Sequence, residues 1–168
     1  MSAEPFIAVL IGPGGVGKGT LARRLVDADD RLWLSKSWTT RPVRATEDGS
    51  EYHFVDRATF EQAIRDDAFL EWAEFHGNLY GTPRPGAAKH DVLLEIEVQG
   101  ARQVVAKRPG AIVVLLVPPS PEVQERRLEA RGDPAAEVAL RIETGHEEVR
   151  QARELAQHEV VNLSLIHI

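Results

Sequence analysis

Between the apolar run FIAVLI (residues 6–11) and a helix-forming run that begins LARRLV stands the sequence GPGGVGKGT, residues 12–20. Glycine loses more backbone freedom on folding than any other residue, so ordering a loop this rich in it is unfavourable unless a ligand offsets the loss. The spacing G-x-x-x-x-G-K between a strand and a helix is the pattern of a phosphate cradle. Successive backbone N–H groups curl around phosphate oxygens, the helix start adds partial positive charge, and Lys18 reaches the outer phosphates. A ligand-free turn has no need of a lysine there. Gly12, Pro13, Gly14, Gly15, Val16, Gly17, Lys18, Gly19 and Thr20 are therefore the expected binding loop for a nucleoside triphosphate. Gly19 stands where a serine or threonine would hold magnesium, so the metal is expected mainly through water, with Thr20 better placed for an inner phosphate.

The rest of the chain alternates apolar runs with amphipathic ones, which predicts a parallel sheet covered by helices. Residues 6–11, 91–98 and 111–117 are apolar on both faces and read as central strands. HEVVN near the C-terminus and LWLSKS (residues 32–37) are weaker strand signals. Helices are expected from Lys18 to about Asp27, from Arg57 to Arg65 behind an Asp56 cap, and from Ala101 to Lys107. Two more follow Ser120-Pro121 and Asp133-Pro134, each read as a capping residue with proline at the first helical position. In the last, Val138, Ile142, Gly145, Val149, Ala152 and Ala156 form one stripe, weakened locally at Gly145. Residues 39–85 differ: aromatics, short alternations and a Gly-Asn turn predict antiparallel strands in a small insertion.

A length of 168 residues suits one domain with its own core. The absence of cysteine excludes disulfides, thiolate metal sites and cysteine nucleophiles. No histidine pair has metal-ligand spacing, and Trp38 and Trp72 read as packing residues. The first residues lack the basic and apolar segments of a signal peptide, so a cytoplasmic location is expected. A net charge of −6 argues against nucleic-acid binding and requires that any polyanionic ligand be met by locally placed cations. No membrane association and no obligatory protein partner is expected.

The segments GPGGVGKGT, SWTTRPVR, FLEWAEFHGNLYGTPR, LLEIEVQGARQV and PPSPEVQERRLEARG together resemble the guanylate kinases, from Phe6 to Asn162. The run from Phe69 to Arg84 is the most specific, because no general phosphate-loop protein needs it. The resemblance implies an α/β fold: a P-loop NTPase-type parallel sheet covered by helices, with a small mixed GMP-binding insertion (about 37–85) and a helical lid (about 126–141). It implies transfer of the γ-phosphoryl group of ATP to GMP with Mg2+, and dGMP as a further acceptor. Ser37, Glu71 and Thr82 match the guanine-reading positions, and Glu97 matches one that is usually aspartate. Guanine offers N1–H and N2–H2 donors beside an O6 acceptor, which suits a carboxylate next to a hydroxyl; adenine leaves the carboxylate unpaired.

Arg41, Arg44, Tyr52 and Tyr80 match the residues that hold the GMP phosphate, and guanidinium forks suit phosphate oxygens. Arg131 and Arg141 match lid arginines, Arg127 is a further ATP-side candidate, and Glu95 is placed to orient metal-bound water. With Lys18, Arg131 and Arg141 form the expected catalytic set. The acceptor phosphate is already largely ionised at neutral pH, so no general base is needed.

Several features depart from the family. The stretch from Arg41 to Tyr52 and the lid between Arg131 and Arg141 are each one residue short. Only PGAAKH separates GTPR from DVLLEI, where relatives carry a short helix. Relatives continue past VVN with an acidic residue and a final helix. Here LSLIHI (residues 163–168) matches the translation of a transposon end used in library preparation, and is expected to be non-native. Two other readings stay open: a binding module that has lost catalysis, which would not retain Lys18 and the lid arginines, and a kinase for another acceptor, which would lack the Glu71 and Thr82 pair.

Overall fold

The computed structural model describes residues 5–45, 47–50, 52–85 and 90–163. A five-stranded parallel sheet has the order β2-β7-β1-β8-β9, with β1 Ile7–Ile11 at its centre. Its neighbours are β7 Asp91–Glu95 and β8 Ile112–Val117, and the edges are β2 Leu32–Leu34 and β9 His158–Val161. The apolar composition of β1 and β8, and of β7 between its terminal Asp91 and Glu95, follows from burial on both faces. On one face Val9, Ile11, Leu94, Val113 and Leu115 pack against α3 Val98–Lys107 and α5 Ala135–Arg153. On the other, Leu10, Leu93 and Leu116 meet α1 Lys18–Ala28 through Ala22.

A second sheet of four strands, β4-β3-β6-β5, forms between β2 and β7 in the chain. It comprises β3 Trp38–Thr39, β4 His53–Phe54, β5 Phe69–Phe75 and β6 Asn78–Pro83. The β5–β6 hairpin turns at His76 and Gly77, both with positive φ (48° and 75°), the backbone of a tight hairpin turn. The insertion is mixed, as the resemblance implies, rather than antiparallel throughout as its local pattern predicts, since β3 and β4 run parallel. Its own small core is Phe60 and Ala63 of α2 Arg57–Arg65 with Phe69 and Leu79. Trp38 packs edge-on against Phe69 at 5.5 Å, whereas Trp72 is half-exposed and joined to α3 by hydrogen bonds between its backbone and Gln103.

Asp56 caps α2 by accepting from the Thr59 N–H at 2.7 Å, and Ser120 caps α4 Pro121–Ala130. Two expectations need correction. The strand expected to reach Val98 stops at Glu95, and α3 starts at Val98 rather than Ala101, because the Ala101 N–H already bonds the Glu97 carbonyl. Asp133 does not cap α5; Pro134 holds the cap position and no side chain accepts there. The Asp133 carboxylate is engaged by arginines instead. Within α5, Val138, Gly145 and Ala152 are buried as the stripe predicts. Gly145 is a close-approach position, where a Cβ would stand 3.4 Å from Pro13 and 3.3 Å from Gln124. Residues 86–89, in the shortened connection, lie outside the described residues, as does all of the expected foreign tail except Leu163.

Candidate active site

The glycine loop leaves the end of β1 and enters α1 through Gly17, whose φ of 93° favours glycine. Gly12 is required for another reason: any Cβ there would run into the Leu116 carbonyl of β8. Loop carbonyls are held by side chains. Lys18 Nζ donates to Gly12 at 2.7 Å, Gln124 Nε2 to Gly14 at 2.8 Å, and Asn162 Nδ2 to Val16 at 2.8 Å. Arg127 donates to the Val16 carbonyl at 3.3 Å and the Asn162 carbonyl at 2.9 Å. Anchoring these carbonyls fixes the peptide orientations that a phosphate cradle needs. Lys18 is folded along the loop, within reach of an incoming anion by rotation of its flexible stem.

Across the cleft, β5 and β6 place Glu71 opposite Thr82. Both are buried, and the Thr82 hydroxyl donates to Glu71 Oε1 at 2.5 Å. Burial pushes the Glu71 carboxyl up to about 6, partly offset by the Thr82 hydrogen bonds and the Lys107 charge. The carboxylate sits against Gly100 at the start of α3, where a Cβ would collide with it. Ser37 is buried beside this pocket and its carbonyl accepts from the His53 N–H at 2.9 Å. Glu97 borders the same space at the α3 cap position.

Between the cradle and this pocket lies a set of arginines. Arg41, only 9% exposed, forms a two-pronged pair with Glu47 at 2.9 and 2.8 Å, and its guanidinium lies 5.4 Å from the Tyr52 ring centre. The Arg44 N–H donates to Glu47 at 2.8 Å and its side chain reaches the same carboxylate at 3.3 Å. Tyr52 and Tyr80 meet edge to face at 6.1 Å. Burial, then the charge of Glu95, pushes the Tyr52 hydroxyl well above its ordinary range, so it stays a neutral donor. From the lid side, Arg141 Nη1 lies 3.1 Å from the point where a Cβ on Gly14 would stand, directly over the cradle. Arg131, at the end of α4, donates to Asp133.

These groups line one cleft of about 1380 Å³. Of the residues singled out in the sequence, Gly12, Pro13 and Thr82 do not face it: Thr82 acts from behind through Glu71, and Gly12 and Pro13 accept from Lys18. Sequence reasoning missed Glu47, Gln124, Asp133, Glu148 and Asn162. Glu47 follows Arg44 by three residues, a spacing that could have signalled a counter-ion; Gln124 and Asn162 carry no local signal. Glu148, half-buried on α5, has its carboxyl pushed up to about 7, first by burial and then by the charge of Glu97, with Lys18 opposing.

No group of three or more metal-ligating side chains occurs among the described residues. A Cβ on Gly19 would stand 3.1 Å from Glu95 Oε2, so this carboxylate borders the start of α1. One carboxylate there fits a magnesium ion held mostly by water and substrate oxygens. No helix among the described residues is long and apolar enough to cross a membrane.

A family model described as guanylate kinase matches residues 5–164. The chain is 48% identical over 155 residues to a guanylate kinase of Thermobifida fusca, spanning 88% of this chain and 79% of that protein. It is 47% identical over 161 residues to a guanylate kinase of Thermus thermophilus, spanning 92% of this chain and 72% of that protein. A crystal structure of guanylate kinase from Anaplasma phagocytophilum superposes with a TM-score of 0.76 at 29% identity, covering 96% of this chain and 78% of that one.

Proposed function

The chain belongs to the guanylate kinase family and transfers the γ-phosphoryl group of ATP to GMP, giving ADP and GDP, and on that premise we propose how its residues divide the task. The observation that carries the division is the buried Glu71–Thr82 pair, which shares one cleft with the glycine cradle and its arginines.

ATP lies with its phosphates on the loop of Gly14, Gly15, Val16, Gly17, Lys18, Gly19 and Thr20, while Gly12 and Pro13 act from behind through the carbonyls that accept from Lys18. GMP lies opposite. Its N1–H and N2–H2 groups donate to Glu71, whose other oxygen is already occupied by Thr82. Ser37 and Glu97 complete the purine contacts. Thr82 therefore acts by orienting the carboxylate rather than by facing the base. Arg41, Arg44, Tyr52 and Tyr80 hold the GMP phosphate, which must displace Glu47 from at least one of the arginines.

The attacking oxygen belongs to the GMP phosphate. Its second pKa of about 6 leaves it a competent nucleophile at neutral pH without a base. Catalysis then consists of aligning two polyanions and stabilising charge on the transferring group. Lys18, Arg131 and Arg141 supply that charge, with Arg127 bracing the loop. When bound, Mg2+ neutralises phosphate charge; Glu95 and the region of Thr20 would hold it through water.

We read residues 1–162 as a single domain, with the monophosphate insertion at about 37–85 and the lid at about 126–141, acting in the cytoplasm without nucleic acid or an obligatory protein partner. The test is ADP formation with GMP, dGMP, AMP and UMP as acceptors. Turnover with GMP, and with dGMP more slowly or equally, supports the reading; equal turnover with AMP contradicts the assigned pocket.

A further inference from the structure

The lid arginines and the monophosphate-site arginine share one counter-ion that the sequence reading assigned to helix capping. Asp133 lies in the turn between α4 and α5, and its side chain is only 3% exposed. Arg131 donates to it through both Nε, at 3.2 Å, and Nη2. Arg141 Nε stands 3.6 Å from Asp133 Oδ2, and Arg44 Nε stands 4.0 Å from Oδ1. These three arginines come from different segments: the end of α4, the body of α5, and the connection between β3 and β4. Nothing about capping α5 explains the arrangement, because no side chain accepts at that helix start.

We propose that Asp133 is a positioning residue for phosphoryl transfer, holding Arg131 and Arg141 over the cradle and linking them to Arg44 at the monophosphate site. Charge balance in a confined space requires such a residue. Arg44 is held below the ordinary guanidinium range, first by burial and then by repulsion from Arg131, Arg41 and Arg141. Three guanidiniums converging on this space without a carboxylate would spread apart. One buried carboxylate draws them together yet leaves an excess of positive charge for phosphate oxygens. Glu47 does the same for Arg41 and Arg44 but does not reach the lid. Among the described residues, Asp133 is the carboxylate that pairs with arginines of both sides. Burial raises its own pKa, but the Arg131 hydrogen bond and the charges of Arg131, Arg141 and Arg44 outweigh this, and it is held below the usual carboxylate range. It is therefore ionised throughout the neutral range. Because two of its partners face ATP and the third faces GMP, loss of the carboxylate misaligns charge in the transition state more than it weakens binding of either substrate alone.

This inference rests on the reading of Arg131 and Arg141 as phosphate-facing, so the experiment includes a variant that tests that reading by itself. Steady-state kinetics and calorimetric GMP affinity are measured for the unaltered protein, Asp133→Asn, Asp133→Glu and Arg141→Ala, with folding monitored by thermal denaturation. The expected result is a kcat at least tenfold lower in Asp133→Asn, with Kd for GMP changed by less than threefold. Asp133→Glu should recover at least a third of the lost turnover, since it restores the charge. If Asp133→Asn keeps kcat within threefold while Arg141→Ala loses turnover, the proposal for Asp133 fails and the arginine reading stands. If Arg141→Ala also keeps full turnover, both fail. A parallel fall of melting temperature and kcat that glutamate does not reverse assigns Asp133 a structural role and overturns the proposal.

Discussion

Glu71 concentrates a folding penalty at a single buried residue of the cleft. A buried carboxyl whose pKa rises from 4.5 to about 6 holds its proton more tightly in the folded chain than in the unfolded one. Stability contributed by that proton is full below pH 4.5 and is lost as pH rises to about 6, leaving the unliganded protein roughly 2 kcal/mol less stable at neutral pH. Glu71→Gln should therefore raise unfolding free energy by about that amount at pH 7 and by much less at pH 4.5, measured by urea titration at both values. The same titration bears on the proposed recognition: as pH falls below about 6, the KM for GMP should rise more steeply in the unaltered protein than in Glu71→Gln, where only the GMP phosphate titrates. Gly100→Ala should weaken GMP binding at least tenfold, because its methyl group would occupy the place of the Glu71 carboxylate; calorimetry checks it. The company of Glu71 and Thr82 was legible in the sequence, but the need for glycine at position 100 was not. That need arises from packing between β5 and α3, which no local pattern encodes.

At the scale of elements, the cleft is lined from two separately built sheets. The inner strands of the first were legible because each is a continuous apolar run bounded by turn residues. The second was legible as different in kind, and as mixed only through the family resemblance, because strands as short as Trp38–Thr39 and His53–Phe54 carry no register signal of their own. Asp133 shows the limit from the other side: an Asp-Pro before an apolar stripe satisfies every local rule for a cap, yet three guanidiniums outcompete a helix N-terminus for the carboxylate. The second sheet depends on Phe60, fully buried and stacked on Phe69 at 4.6 Å. Phe60→Ala should destabilise that unit by about 3–5 kcal/mol. The expected signature is a raised KM for GMP and a lower denaturation midpoint, with affinity for an ATP analogue affected less. On the opposite side, Gln124→Ala removes a buried donor to the Gly14 carbonyl, which should cost about 1–3 kcal/mol and raise the KM for ATP more than that for GMP.

For the molecule as a whole, the net charge of −6 and the basic cleft are compatible because the cations are concentrated where two polyanions must meet. Arg41, Arg44, Arg131 and Arg141 gather around Glu47 and Asp133, so the cluster holds its shape with a surplus of positive charge. Lys18 and the cradle sit on one wall, and the carboxylate pocket sits on the other. On the proposed division of roles, purine selectivity and phosphate chemistry are separable by mutation, since different elements carry the two sets of residues. The most direct measurement is calorimetric titration of GMP and AMP into the unaltered protein and into Glu71→Gln. The account predicts that GMP binds at least tenfold tighter than AMP to the former and that most of this preference vanishes in the variant. A preference that survives the loss of the Glu71 charge undiminished would contradict it.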